Sequence, residues 1–127
     1  MAKSVPEKLG HAPGLRVLVE GVPDALKLGI ETVAEGPHDL MLFFVRSAGE
    51  VAAVAGRLDK LYRDGAKLWF AYPKKSGSIR ADITRDNGWE ALAALDFLPV
   101  TQVALDDDWS ALRFRRRSEI PRLTRKF

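Results

Sequence analysis

The stretch DLMLFFVRSAGEVAAVAGRLDKLYRDGAKLWFAYP, residues 39–73, decides the fold. After its opening aspartate, the run over 39–45 is apolar at every position, which is typical of a central parallel strand covered by helices on each side. The run over 66–73 predicts a second strand of the same kind. A helix is predicted between the two, and strands joined by such a crossover pair in parallel.

The predicted helix covers residues 48–63. Ser47 and Glu50 make an S-x-x-E capping box, in which the two side chains satisfy backbone donors at a helix start. Apolar residues then recur at spacings of three and four, and Gly65 supplies the stop. This is the best-defined element of the sequence.

Further elements flank this unit on both sides. The pattern predicts strands over 15–21, 97–106 and 110–117, a short helix within 22–30, a short edge strand within 30–37 and a helix over 84–96. The last two strands alternate and lie close together, which favours an antiparallel hairpin at a sheet edge. Gly88 weakens the helix prediction over 84–96 by roughly 1 kcal/mol.

Together these elements predict the α/β class, a three-layer sheet of about five to six strands, mostly parallel, with a C-terminal antiparallel hairpin. We expect a polar lead-in over 1–14, one α/β domain over 15–117 and a basic tail over 118–127. The chain of 127 residues, 46% hydrophobic and 29% charged, is long enough for one core.

Composition excludes several classes of function. Cysteine is absent, which excludes disulfides, thiolate catalysis and cysteine-ligated metals. The longest apolar run, residues 40–45, is too short to cross a bilayer, and the N-terminus has no apolar signal-peptide core, so we expect a cytoplasmic protein. Serine-hydrolase and zinc-protease motifs do not occur, and no metal site is expected.

Ligands of open α/β sheets bind outside the carboxyl ends of the strands. In this sequence the cleft edge is predicted at Glu20, Gly21, Arg46 and Pro73. The segment KKSGS, which follows the predicted strand over 66–73, then predicts an anion site. Its candidate ligands are Lys74, Lys75, Ser76, Gly77, Ser78 and Arg85. The alternative is a solvated loop whose lysines keep the sheet edge soluble.

The C-terminal end carries most of the positive charge. Residues 113–127 hold seven Lys or Arg and one Glu, whereas the other 112 residues hold 13 basic and 16 acidic side chains. A polyanion site there would use Arg113, Arg115, Arg116, Arg117, Arg122 and Arg125. In a strand, Arg113, Arg115 and Arg117 would share one face, opposite Phe114 and Arg116, and the alternative is a charge-protected edge strand followed by a tail.

The acidic run DDDW, residues 106–109, is either a carboxylate cluster for a divalent cation or a hairpin turn whose Trp109 closes the edge of the core. Three consecutive carboxylates on a tight turn do not easily face one ion. The pattern therefore favours the turn.

The segments KLGHAPGLRVLVEGVP, DLMLFFVRS, LWFAYPKKSGSIRADITRD and WSALRFRRR carry a resemblance that covers nearly the whole chain. They resemble a family of small uncharacterised bacterial proteins, a domain of unknown function, which is similar to a truncated S-adenosylmethionine-dependent methyltransferase with a Rossmann-like sheet. Such an enzyme carries a glycine-rich turn after its first strand, where this chain has EGVPDAL. It also needs an acidic ribose ligand, for which Glu31 or Glu35 is the candidate.

The leading hypothesis is a non-catalytic binding or regulatory module for a small anionic ligand or a protein partner, with no cofactor. The first alternative is a minimal methyltransferase that uses S-adenosylmethionine. The second is weak nucleic-acid or polyanion binding through the basic C-terminus. Oligomeric state is left open, and no membrane partner is expected.

Overall fold

The computed structural model describes residues 5–12, 14–23, 30, 32–33, 35–63, 65–74, 81–84 and 87–119. Within these ranges the helices are α1 (Val5–Lys8), α2 (Ala48–Ala55), α3 (Leu58–Leu61) and α4 (Glu90–Ala93), with a 3-10 turn at Arg117–Glu119. The strands are β1 (Val17–Glu20), β2 (Leu40–Phe44), β3 (Lys67–Pro73), β4 (Phe97–Ala104) and β5 (Trp109–Arg116). Across the described segments, no helix combines the length and the apolar character that spanning a bilayer requires.

The strands form one mixed sheet in the order β1-β2-β3-β5-β4. Strands β1, β2 and β3 are parallel, with Leu40 opposite Val17 on one side and opposite Lys67 on the other. The chain then returns as an antiparallel hairpin whose second strand, β5, pairs with β3. A register shift between Pro99 and Thr101 interrupts β4, where proline has no N–H to donate. The predicted α/β class with its C-terminal hairpin is confirmed.

Apolar side chains cover both faces of the central strands because successive residues of a strand point to opposite faces. Helices α2, α3 and α4 pack on one face, where the ring of Phe70 lies 5.5–5.9 Å from the rings of Phe43, Phe114 and Trp89. The other face buries the alternate residues of β2 and β3, including Trp69. Burial on both faces explains why both strands are uninterrupted apolar runs.

The N-terminal segment, which the sequence predicts to be a polar lead-in, packs on that second face. Leu9 is fully buried there. The indole Nε1 of Trp69 donates to the carbonyl oxygen of Leu9 at 2.9 Å, and Lys67 Nζ donates to that of Gly10 at 2.6 Å. One leucine and two side-chain donors on β3 therefore hold the segment over 5–12.

The helix predicted over 48–63 is divided into α2 and α3. Gly56 caps the end of α2, and glycine is a poor residue for a helix interior. Arg57 follows, and its side chain reaches Glu20, 37 residues earlier in the chain. The break therefore falls at a weak helix position, and the residue that follows it pairs with the end of β1.

The helix predicted over 84–96 is shorter than expected, since α4 covers only Glu90–Ala93. Gly88 has φ +103°, which a right-handed helix does not allow, and it packs against Ile83. Most of the helix predicted within 22–30 lies outside the described residues. The described part of 30–37 is not in a strand, although Val33 N donates to Val17 O at 2.9 Å.

Candidate functional site

The carboxyl ends of the three parallel strands meet at one edge of the sheet, where β1 ends at Glu20, β2 at Phe44 and β3 at Pro73. The turn between β4 and β5 reaches the same edge, because Pro73 pairs with Trp109. The predicted cleft residues Glu20, Gly21, Arg46 and Pro73 all belong to this edge.

A pocket of about 240 Å³ opens at this edge, between the ends of β1 and β2 and the first turns of α2. It is lined by Glu20, Gly21, Phe43, Phe44, Val45, Glu50, Ala53 and Val54. Most of this lining is apolar, and its two charged residues are Glu20 and Glu50. An apolar cleft with a few placed polar groups is the usual form of a small-molecule site.

Glu20 contributes the first carboxylate and is paired with Arg57. Both guanidinium Nη atoms donate to it, at 2.7 and 2.8 Å. The hydrogen bond from Arg57 holds the pKa of Glu20 below its ordinary value, and the same bond raises the pKa of Arg57. Glu20 is therefore ionised at neutral pH.

Glu50 contributes the second carboxylate, and it is held by the backbone. Its Oε1 accepts from the backbone N of Arg46 at 2.5 Å, while Ser47 Oγ accepts from Glu50 N at 3.1 Å. The predicted capping box is thus present, except that the Glu50 side chain accepts from the backbone N–H of Arg46 instead of that of Ser47. Ala48 N donates to Asp82 Oδ1 at 2.8 Å, so protein side chains satisfy two donors in the first turn of α2.

The lysine loop, which we define as residues 74–82, begins and ends at the carboxyl edge. Lys74 is half-buried, and its backbone N donates to Asp108 O at 2.7 Å. At the other end of the loop, Asp82 N donates to Arg46 O at 3.3 Å. The remaining proposed ligands, Lys75, Ser76, Gly77, Ser78 and Arg85, lie outside the described residues, so the anion site stays a prediction.

The acidic run over 106–109 forms the hairpin turn. Asp106 Oδ1 accepts from the backbone N of Asp108 and of Trp109, both at 2.8 Å. Trp109 is buried, with its ring 5.1 Å from that of Phe44, and the guanidinium of Arg46 lies 5.2 Å from the indole. The interpretation as a turn that closes the core is confirmed. Within the described ranges, no three acidic or histidine side chains form a group that could hold a metal ion.

The C-terminal arginines are divided between two faces of the sheet. Arg116 lies over the rings of Tyr62 and Phe97, at 5.0 and 5.5 Å, on the face that carries the helices. Arg113 lies opposite Trp69 and therefore shares the other face, and Arg115 alternates in step with it.

Arg117 was expected on the face of Arg113 and Arg115, but it follows β5 in a 3-10 turn. There its Nε pairs with Asp96 Oδ1 at 3.4 Å. Arg122 and Arg125 lie outside the described residues. The described arginines thus do not form one basic surface.

Sequence reasoning missed two features of the pocket. Glu50 was recognised only as a capping residue, although a helix that starts directly after a central strand places its first turn at the carboxyl edge. The pairing of Arg57 with Glu20 had no signal in the sequence, because nothing local connects residues 37 positions apart.

No protein-family model matches the sequence, and no curated protein does. Among solved structures, the chain is similar to a protein of the NADB-Rossmann superfamily from Streptococcus agalactiae, with 14% identity, a TM-score of 0.53 and coverage of 91% of this chain and 68% of that one. It also aligns with a ribosomal protein L11 methylase from Lactobacillus delbrueckii subsp. bulgaricus, with 17% identity, a TM-score of 0.45 and coverage of 65% of this chain.

The chain spans 38% of the methylase chain's length, and at that TM-score the match carries no argument about activity. The similarity to the NADB-Rossmann protein shows the fold, which is Rossmann-like, as the sequence resemblance implied.

Among the described residues, neither of the two features expected of an S-adenosylmethionine site, a glycine-rich turn and an acidic ribose ligand, is present. The pocket is smaller than the roughly 300–1,000 Å³ of typical small-molecule sites. Gly21 has φ +78°, and a Cβ there would meet Phe44 O at 2.9 Å, so packing against β2 already accounts for this glycine. Glu35 is wrongly placed for a ribose ligand: its carbonyl oxygen accepts from Arg16, which precedes β1 at the opposite edge of the sheet. Glu31 lies outside the described residues.

Proposed function

We propose that this protein is a small-ligand binding module, and that the pocket at the carboxyl ends of β1 and β2 takes a ligand group with positive charge. The observation that carries this proposal is the pair of carboxylates, Glu20 and Glu50, on an otherwise apolar pocket. An ammonium or similar cation is attracted by such a site, and the apolar walls accommodate the carbon skeleton next to it. An anion would be repelled from it.

The size of the pocket supports a small metabolite as the ligand. The electrostatics support binding rather than proton transfer. A general acid or base works best with a pKa near the operating pH, whereas the pKa of Glu20 is shifted downwards, away from neutrality, by the hydrogen bond from Arg57.

The test is a titration followed by amide chemical shifts in a ¹⁵N-labelled sample, with benzylamine as the probe and benzyl alcohol as its neutral counterpart. We expect shifts at Gly21, Val45 and Ala53, and tighter binding of the amine than of the alcohol. Equal affinity for the two probes would remove the charge argument.

A steric variant and its matched control complete the test. Ala53→Leu fills the pocket from the exposed side of α2, whereas Ala52→Leu places the same side chain on an exposed position of the same helix that does not line the pocket. Leucine is a good helix former, so neither change should disturb α2. We expect Ala53→Leu alone to abolish binding, and equal affinities of the two variants would contradict the assignment of the pocket.

An anion site at the lysine loop is the second candidate. Its support is that Lys74 follows Pro73, which pairs with Trp109, and that the guanidinium of Arg46 lies over the indole of Trp109. The double charge reversal Lys74→Glu with Lys75→Glu, combined with a thermal-shift screen of metabolites and inorganic phosphate, tests it. Lys60→Glu, a reversal at an exposed position of α3, is the control. Stabilisation by phosphate that survives the double reversal would end this candidate.

The minimal methyltransferase remains an alternative because its methyl donor carries a positively charged sulfonium, which matches the sign of the pocket. Titration calorimetry compares S-adenosylmethionine with S-adenosylhomocysteine, which differs in having an uncharged thioether in place of the sulfonium. Heat from the first ligand at high micromolar concentration would favour the enzyme. On the leading proposal we expect no heat from either.

A further inference from the structure

We propose that Arg57 is a built-in competitor for the pocket, which a cationic ligand must displace from Glu20 before it binds fully. This inference rests on the proposed function. Arg57 does not itself line the pocket. Its proposed role is therefore to set the affinity of the pocket for a cationic ligand and not to contact that ligand.

The two carboxylates of the pocket are held in different ways. The backbone N–H of Arg46 holds Glu50, and that bond cannot swing aside without disturbing the start of α2. A long side chain holds Glu20 from the junction between α2 and α3. The side chain of Arg57 is 48% exposed and that of Glu20 37% exposed, so water can replace the guanidinium when it leaves.

Arg57 is well suited to compete because its guanidinium fork matches the carboxylate. It donates to both carboxylate oxygens, which are the atoms that an incoming ammonium would use. While Arg57 is in place, its charge also reduces the attraction that Glu20 exerts on a second cation. The break in the helix at Gly56 brings Arg57 to this position.

The expected effect is modest because exposed ion pairs contribute little. If Arg57 must be displaced, its removal should tighten the binding of a cation by about two- to fivefold. A neutral ligand of the same shape does not need Glu20, so its affinity should not change.

The experiment measures the benzylamine and benzyl alcohol dissociation constants of wild type, Arg57→Gln and Arg57→Lys at low salt. Arg63→Gln is the matched control, since it removes one arginine of an exposed ion pair at the other edge of the sheet, with Asp39. We expect Arg57→Gln to bind benzylamine about two- to fivefold more tightly, Arg57→Lys to lie between it and wild type, and Arg63→Gln to resemble wild type. Adding Glu20→Gln to Arg57→Gln should remove the gain.

The outcomes separate this inference from the proposed function. If benzylamine binds wild type and Arg57→Gln equally, or binds Arg57→Gln less tightly, the competitor role is refuted and the pocket stands. If benzylamine shifts no pocket amide in any variant, both are refuted. Should Arg57→Gln fail to fold, Arg57→Lys decides, because it keeps the charge and loses the fork.

Discussion

Gly88→Ala is expected to be among the most damaging single-methyl additions in this protein. Gly88 is buried and has φ +103°, a backbone conformation that an L-residue adopts only under strain. A Cβ at this position would lie 2.1 Å from Ile83 Cγ2 and 2.9 Å from Ile83 Cβ. The second of these atoms cannot rotate away, so the loop over 81–84 would have to move, and that loop carries the Asp82 that caps α2.

Two terms make up the expected cost. Backbone strain of a non-glycine residue at such a φ costs about 1–3 kcal/mol. Forcing an extra methyl group into packed surroundings costs about another 1–3 kcal/mol. The sum, about 2–6 kcal/mol, is a large share of the total stability of a domain, which is about 5–15 kcal/mol.

Urea unfolding followed by circular dichroism measures this cost, and Gly65→Ala separates the two terms. Gly65 has φ +90°, but no described atom lies within 4 Å of its added Cβ, so its replacement carries the strain term alone. We expect Gly88→Ala to cost about 1–3 kcal/mol more than Gly65→Ala. An unchanged m value would confirm that both variants unfold from the native state in the same way.

Two results would refute this reasoning. The first is a Gly88→Ala variant no less stable than Gly65→Ala. The second concerns the double variant with Ile83→Ala. That change removes the closest contact, so we expect the double variant to lose less stability than the sum of the losses of the two single variants. Strictly additive losses would contradict the reasoning.

Three further predictions concern the N-terminal segment, the pocket and the tail. Leu9→Ala should cost about 2–5 kcal/mol in urea unfolding because Leu9 is fully buried, and a loss under 1 kcal/mol would show that the segment over 5–12 is not part of the core. The lowered pKa of Glu20 means that its pair with Arg57 adds stability at neutral pH that is lost as pH falls through that pKa. Wild type should therefore exceed Glu20→Gln in free energy of unfolding by less than about 1 kcal/mol at neutral pH, and this difference should disappear in acid. A difference that grows as the pH falls would contradict the direction of the pKa shift. Deletion of residues 120–127 keeps β5 intact, and on the leading proposal it should leave retention on immobilised nucleic acid at low salt unchanged. The arginines of β5 lie on both faces of the sheet and so do not form one basic surface that the deleted residues could extend; a loss of retention would favour the polyanion alternative.

The sequence predicted those elements whose signals are local. The continuous apolar runs of β2 and β3 indicated burial on both faces, and the capping box marked the start of α2. The aspartate-rich turn indicated the hairpin, since Asp106 satisfies its own turn. The carboxyl edge followed from these elements, because parallel strands necessarily end at the same side.

By itself, then, the sequence determined the class of fold, the parallel core and the edge at which the parallel strands end, because periodicity and capping act between residues a few positions apart. Only the tertiary structure decided that β5 rather than β4 joins β3 and that Leu9 enters the core. It also decided that Arg57 reaches Glu20 and that Glu20 and Glu50 share one pocket. Each of these contacts joins residues 30 or more positions apart. Such contacts depend on which surfaces remain to be covered once the local elements have formed, and no pattern along the chain encodes that choice.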